Sequence, residues 1–176
     1  MVNSTAILAA LTGTWSILNS TGYTSSSFRS NLLQTKVPFS YINGTQQPED
    51  DNLGAKPSGL IHYLPNHFMS ANLGNSRPEY RPTSLTWPYK ANQSDTDWAK
   101  VGKHIVAYAG PFYLSDLESE TDGRVNHGPL QVAGIESWVG TTVTRNFTLL
   151  EHGKLLLIKI VGNNGYLGLS YWDKIA

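Results

Sequence analysis

What most constrains this chain is the punctuation of its second half. From residue 104 onward, short runs rich in β-branched and aromatic residues alternate with turn signals about every ten residues. The runs are residues 104–110, 112–115, 130–138, 141–149, 154–161 and 166–172. Gly110-Pro111, Asp122-Gly123, Gly140, His152-Gly153 and Asn163-Asn164-Gly165 interrupt them. Short strands punctuated in this way form an antiparallel meander. In a chain of this size, closure into an up-and-down barrel is the simplest way to remove sheet edges. The expectation is an all-β antiparallel barrel of roughly eight to ten strands, with short helices before the first strand and before His104. Charged residues make up only 15% of the 176 residues and aromatics 11%, which suits strands folded round an interior better than a helical bundle.

The first half supplies the remaining pieces. Ser4 or Thr5 can cap a helix over residues 6–11, which Gly13 ends. Residues 14–19 read as a strand with Trp15 and Ile17 on one face, followed by a turn-rich stretch over residues 20–27. Residues 35–42 form a weaker strand that Pro38 confines to an edge or bulge, and residues 43–56 a polar loop. Residues 59–64 and 68–73 flank Pro65-Asn66-His67 as a hairpin. The long connection over residues 74–94 carries Arg77, Tyr80, Arg81, Trp87 and Tyr89 and reads as a flap packed against something, a lid over a cavity mouth being one option. Asp95 can cap a helix over residues 98–101, and Gly110-Pro111 suggests a bulge or corner. The length fits a single domain over residues 1–176.

Several functions lose support at this level. There is no cysteine, hence no disulfide, thiolate nucleophile or Cys-based zinc site. Thirteen Lys and Arg balance thirteen Asp and Glu with no basic block, which argues against nucleic acid as a partner. The apolar run over residues 6–11 is too short for a signal peptide or membrane span, so a cytoplasmic protein is expected. Five Asn-x-Ser/Thr sequons, at Asn3, Asn19, Asn43, Asn92 and Asn146, are discounted in a chain so rich in those residues. Neither a glycine-rich phosphate loop nor a nucleophile elbow is present, and the five histidines lack metal-ligand spacing; no metal and no cofactor are expected.

The candidate site lies on the late strands. His127 and Tyr108 are the pair suited to proton transfer, a neutral imidazole accepting and a phenol holding a developing oxyanion. The competing reading is a buried His bonded to backbone beside a Tyr that fills core. Arg145 is a candidate for binding a carboxylate or enolate. Tyr63, Met69, Phe112 and Trp138 are either core or the apolar wall of a pocket. His62 and Asn72 belong to the first hairpin, and a shift of one residue decides whether they face ligand or solvent.

A family likeness runs through these motifs. Leu11-Thr12-Gly13-Thr14-Trp15 resembles the Gly-x-Trp opening of lipocalins. The order of motifs is similar to the small lipocalin-like domain family of bacteria and fungi: Pro57-x-Gly59-x-x-x-Tyr63, Met69-Ser70-Ala71, Arg77-Pro78, Tyr108-Ala109-Gly110, Val125-x-His127, Trp138-Val139-Gly140 and Arg145-x-Phe147. The likeness spans roughly residues 11–160, nearly a whole domain. Departures are Asn66-His67 where the family tends to Asp-Gly, His127-Gly128 where it tends to paired histidines, and Glu136-Ser137 in place of Pro-Asn. The resemblance implies a calycin-type barrel with an internal cavity and a small hydrophobic, polyketide- or terpenoid-like ligand. Some fungal relatives of this type serve secondary metabolism as cofactor-independent cyclases or isomerases, pericyclases among them. The function so implied is such chemistry on an apolar oxygenated molecule, with His127, Tyr108 and Arg145 catalytic. The alternatives are a non-catalytic carrier or sensor, or a barrel with a filled interior. It also implies a structural role for Arg145, packed over the indole of Trp15 as a barrel floor.

Overall fold

The computed structural model describes residues 2–18, 39–43, 45–46, 52–54, 56–161 and 166–176. The turns expected over residues 20–27 and 163–165, and the part of the weak strand before Phe39, lie outside the described residues. Asn3 rather than Ser4 or Thr5 caps α1 (Ser4–Leu11), its side chain accepting from the Ala6 N–H. Ile7 and Leu11, one turn apart, share the buried face of this helix.

Among the described residues eleven strands follow in chain order: β1 (Gly13–Ile17), β2 (Phe39–Ile42), β3 (Thr45–Gln46), β4 (Pro57–Tyr63), β5 (Phe68–Asn75), β6 (Ile105–Ser115), β7 (Asp122–His127), β8 (Val132–Ala133), β9 (Val143–Leu150), β10 (Leu155–Val161) and β11 (Tyr166–Lys174). Eight of them close a ring in the order β1-β4-β5-β6-β7-β9-β10-β11, and β11 returns to β1 with Trp15 opposite Lys174 and Ile17 opposite Trp172. The result is a closed eight-stranded antiparallel barrel. Short β2 and β3 extend from the first half of β11, and β8 lies against β6. Alternation fills the interior with Trp15, Ile61, Tyr63, Met69, Ala71, Tyr108, Phe112, Val125, Phe147, Leu156, Ile158 and Trp172.

Helix α1 seals one end. The Trp15 indole N–H donates to the Leu11 carbonyl at 2.8 Å, and Lys174 Nζ donates to the Ala10 carbonyl at 2.8 Å. Two carbonyls left open by the helix terminus are thereby satisfied, and a cation stands at the negative end of the helix dipole. Gly13 is required here: its φ is +139°, and a side chain would run into the Ala176 carbonyl and the Lys174 side chain.

Three expectations are corrected. Gly110-Pro111 does not break β6, which runs unbroken through eleven residues; Phe68 pairs with Pro111 on one edge, and the other edge passes from β8 to β7. Gly110 is needed instead for close approach, since a Cβ there would lie 2.9 Å from the Pro129 carbonyl oxygen. Residues 130–138 form no full strand, because β7 pairs directly with β9 and leaves no vacant edge between them. Only Val132 and Ala133 join the sheet, and Glu136–Trp138 is a 3₁₀ turn. The second helix, α2 (Asp95–Lys103), is longer than expected and is capped by Ser94, whose side chain accepts from the Asp97 N–H.

The flap over residues 74–94 packs outside the barrel. Tyr80 stacks on His104 at 3.7 Å, Arg81 Nη1 donates to Ser58 Oγ at 3.3 Å, and Trp87 is 86% exposed. No helix among the described residues is long and apolar enough to cross a membrane.

Candidate functional site

The site grows out of strand parity. On β7, Val125 and His127 face inward, opposite Arg145 and Val143 of β9, while Phe112 of β6 stands opposite His127 on its other side. On β4 and β5, Ile61 opposes Ala71 and Tyr63 opposes Met69, and Ala71 in turn opposes Tyr108. Antiparallel partners share a face, so β4, β6 and β7 aim Tyr63, Tyr108, Phe112 and His127 at one another.

A polar chain crosses this apolar interior. Tyr63 Oη lies 2.8 Å from His127 Nε2, and Tyr108 Oη lies 3.3 Å from His127 Nδ1. Both imidazole nitrogens are thus engaged by phenols. Phe112 meets Tyr63 edge-on at 5.0 Å, and Trp138 meets Tyr108 edge-on at 5.7 Å. The loop over residues 128–141 brings Trp138 there, pinned to β6 by bonds from the Gln131 N–H to the Ala109 carbonyl and from the Gly134 N–H to the Ala107 carbonyl.

Electrostatics keep the chain uncharged. Burial, joined by the positive charge of Arg145, pushes the His127 pKa down to about 3, so the ring is neutral at physiological pH. Burial raises both phenols above their usual range, Tyr63 strongly, while Arg145 pulls each partly back. The phenols therefore stay protonated and act as donors. An imidazole so hard to protonate is a weak proton acceptor.

Exposure divides the roles. Tyr63 and His127 have no accessible surface, whereas Tyr108 keeps 8%. Leu73, Val106, Ala133, Trp138 and Val143 are only partly buried against the core, and Arg145 is likewise half-buried. Partly accessible inward residues thus lie at the end away from α1, at Leu73, Val106 and Val143, and at Leu114 toward it.

The structure brings together His127, Tyr108, Tyr63, Phe112, Met69 and Trp138, with the Arg145 charge acting on the group. It does not bring in His62 or Asn72. His62 Nδ1 pairs with Thr14 Oγ1 at 3.1 Å on the outer face of β4, and Asn72 is exposed on the outer face of β5. Parity excludes both from the interior: Ile61, Tyr63 and Ala71 take the inward positions. Nor is Arg145 the cation over Trp15. Lys174 Nζ holds that place, 5.3 Å from the ring centroid. Nothing in the motifs flagged Lys174, although its place at the end of the last strand, opposite the first, was a signal. Among the described residues no cluster of three or more His, Asp or Glu is placed to hold a metal.

Gly128 explains one departure from the family pattern. Its φ is +140°, and a Cβ there would lie 2.5 Å from the Thr141 carbonyl oxygen and 2.8 Å from the Thr142 Cα. This backbone has no room for a second histidine. Gly128→Ala is expected to cost on the order of 2–3 kcal/mol of stability in urea unfolding, whereas Gly102→Ala, inside α2, should be neutral or stabilise by up to about 1 kcal/mol. The Gly102 control has open space around its Cβ. Equal costs at the two positions would refute the steric argument.

Comparison with curated proteins returns no match. Among solved structures, a redesigned β-barrel is similar at 10% identity and a TM-score of 0.39, with 100% of this chain and 98% of that one covered. A model of the lipocalin-like domain matches residues 39–166. That match takes in β2 through the start of β11 and every member of the Tyr63–His127–Tyr108 chain. A lipocalin-like barrel supports the binding of a small molecule, and by a match over more than half its length this chain belongs to the lipocalin-like domain family.

Proposed function

We propose that the barrel is a cofactor-independent cyclase or isomerase that takes an apolar, oxygen-bearing small molecule against Tyr108. The observation that carries this reading is Tyr108: its hydroxyl is bonded to buried His127 and stays protonated, and it is the one residue of the Tyr63–His127–Tyr108 chain that keeps some accessible surface. A phenol held this way donates to a carbonyl oxygen, and the Arg145 charge favours electron density building up on that oxygen. The partly exposed apolar side chains of Trp138, Leu73, Val106 and Val143 hold the carbon skeleton in a reactive conformer, with Phe112 and Met69 packed behind them. In a ring closure of a conjugated trienone, carbon–carbon σ bonds form at the expense of π bonds and no atom is gained or lost. Such a step needs neither cofactor nor strong base, which suits a neutral His127. In this reading His127 acts through Tyr108 and does not touch substrate.

One observation favours a second reading, carriage without chemistry: the His127 pKa of about 3 leaves no ready proton acceptor in the chain. A matched ligand pair tests binding. 2-Acetylnaphthalene should bind about tenfold tighter than 2-isopropenylnaphthalene, which has the same shape without the oxygen, and Tyr108→Phe should abolish the preference. Quenching of Trp138 fluorescence, with Trp138→Phe as control, reads both. No preference in the parent protein would sink the placement at Tyr108. A trienone that cyclises slowly in buffer then separates the two readings. Acceleration that falls in Tyr108→Phe supports the enzyme, and saturable binding at the buffer rate supports the carrier.

A further inference from the structure

Tyr63 cannot serve the ligand-lining role its residue type suggests, because it has no accessible surface. We infer that Tyr63 is instead a positioning residue: it fixes which nitrogen of His127 carries the proton, and so leaves the Tyr108 hydrogen free for a bound oxygen. The inference rests on the reading of Tyr108 as donor to the ligand.

The argument is one of satisfying hydrogen-bond donors. A neutral imidazole has one N–H and one lone pair, and both its nitrogens face phenols. Two proton orders are possible. In the first, the Tyr63 O–H donates to Nε2, and the Nδ1–H donates to Tyr108 Oη. The Tyr108 hydrogen is then left over, on a residue that retains some surface. In the second, the Tyr108 O–H donates to Nδ1 and the Nε2–H donates to Tyr63 Oη. The hydrogen left over is now that of Tyr63, sealed inside the barrel with His127 as its hydrogen-bond partner.

A buried donor without an acceptor is costly, whereas one that reaches ligand or water is not. The contact distances agree: the sealed pair is the shorter, 2.8 against 3.3 Å, as an O–H donor to nitrogen requires. The high phenol pKa of Tyr63 and the low imidazole pKa of His127 keep both groups neutral, so that this order persists at physiological pH. Substrate preference follows. The site presents a donor and favours ligands with an acceptor oxygen, such as ketones, enolates and carboxylates, over ligands that offer only a donor.

The imidazole nitrogens of His127 in ¹⁵N-labelled protein report the order directly, without any ligand. The expected spectrum has the protonated, pyrrole-type shift on Nδ1 and the pyridine-type shift on Nε2. Tyr63→Phe removes the donor to Nε2, so the Nδ1–H share should fall. The preference of the site for 2-acetylnaphthalene over 2-isopropenylnaphthalene should fall with it, by about fivefold. An Nε2–H ring in the parent protein overturns the inference, as does an Nδ1–H share unchanged in Tyr63→Phe. If the Nδ1–H order holds and responds to Tyr63 while the acetyl preference is absent from the parent, the proton order stands and the Tyr108 reading fails. The spectrum of the parent decides the first point even if the Tyr63 variant does not fold.

Discussion

Lowering the pH from 6.5 to 3 is expected to remove roughly 4–5 kcal/mol of folding stability through His127 alone. In the unfolded chain this imidazole titrates near its ordinary value of 6.5; in the barrel its pKa is about 3, through burial first and the Arg145 charge second. Between those values the unfolded state binds a proton that the folded state refuses. Stability therefore falls as the pH falls, with a slope of about 1.4 kcal/mol per pH unit, and is level in this term above 6.5. Asp122 adds to the acid loss with the same sign. Burial raises its pKa, but hydroxyls of Thr148, Thr121 and Ser119 and the charge of Lys159 outweigh it and hold the carboxyl below its usual range. Its stabilisation is lost as the pH drops through that lowered value, below most of the His127 window. His127→Gln separates the two, because a Gln carbonyl can still accept from Tyr63 while the titrating group is gone. Urea unfolding at stepped pH should show the variant less stable at pH 7 yet shallower in slope by about one proton between 6.5 and 4. Parallel slopes in parent and variant would mean that His127 is not buried neutral.

The barrel was legible because its signals are local and repeated. Turn residues every few positions and alternating apolar residues define strands without reference to the rest of the chain, and closure follows from the need to satisfy edges. The errors came where a distant segment decides. Residues 130–138 alternate well enough for a strand, but β7 and β9 already pair with each other, so Gly110 and Gly134 let the segment fold back on β6 instead. The site divided in the same way. That His127 and Tyr108 meet was readable from motif order. That Tyr63 completes the chain was not, since it requires the barrel to bring β4 beside β7 across the interior. His62 and Asn72 differ from true interior residues by one position of parity, and only the pairing of Ile61 with Ala71 fixes it.

The floor of the barrel gives the second large effect, and it also decides between two cations. Trp15 is fully buried, bonded to Leu11 and covered by Lys174, so Trp15→Ala should cost about 3–5 kcal/mol through lost burial and a cavity at the sealed end. Lys174→Met keeps most of the apolar stem but loses the charge over the ring and the bond to the Ala10 carbonyl; about 1–2 kcal/mol is expected. If the ammonium interacts with the indole itself, the two losses are not additive: the double variant should be about 0.5–1 kcal/mol more stable than the sum predicts. The same cycle with Arg145→Gln discriminates. Arg145 lies on β9 opposite Val125, and its charge acts on His127, Tyr108 and Tyr63, so its coupling to Trp15 should be close to zero. Its removal should instead appear in the phenols, whose pKa values rise once the cation that lowers them is gone. Coupling of Trp15 to Arg145 rather than to Lys174 would restore Arg145 to the floor and deprive the Tyr108 site of its charge. Coupling to Lys174 alone would keep Arg145 out of the floor and leave its charge acting on His127, Tyr108 and Tyr63, because the barrel's base is then closed by the other cation.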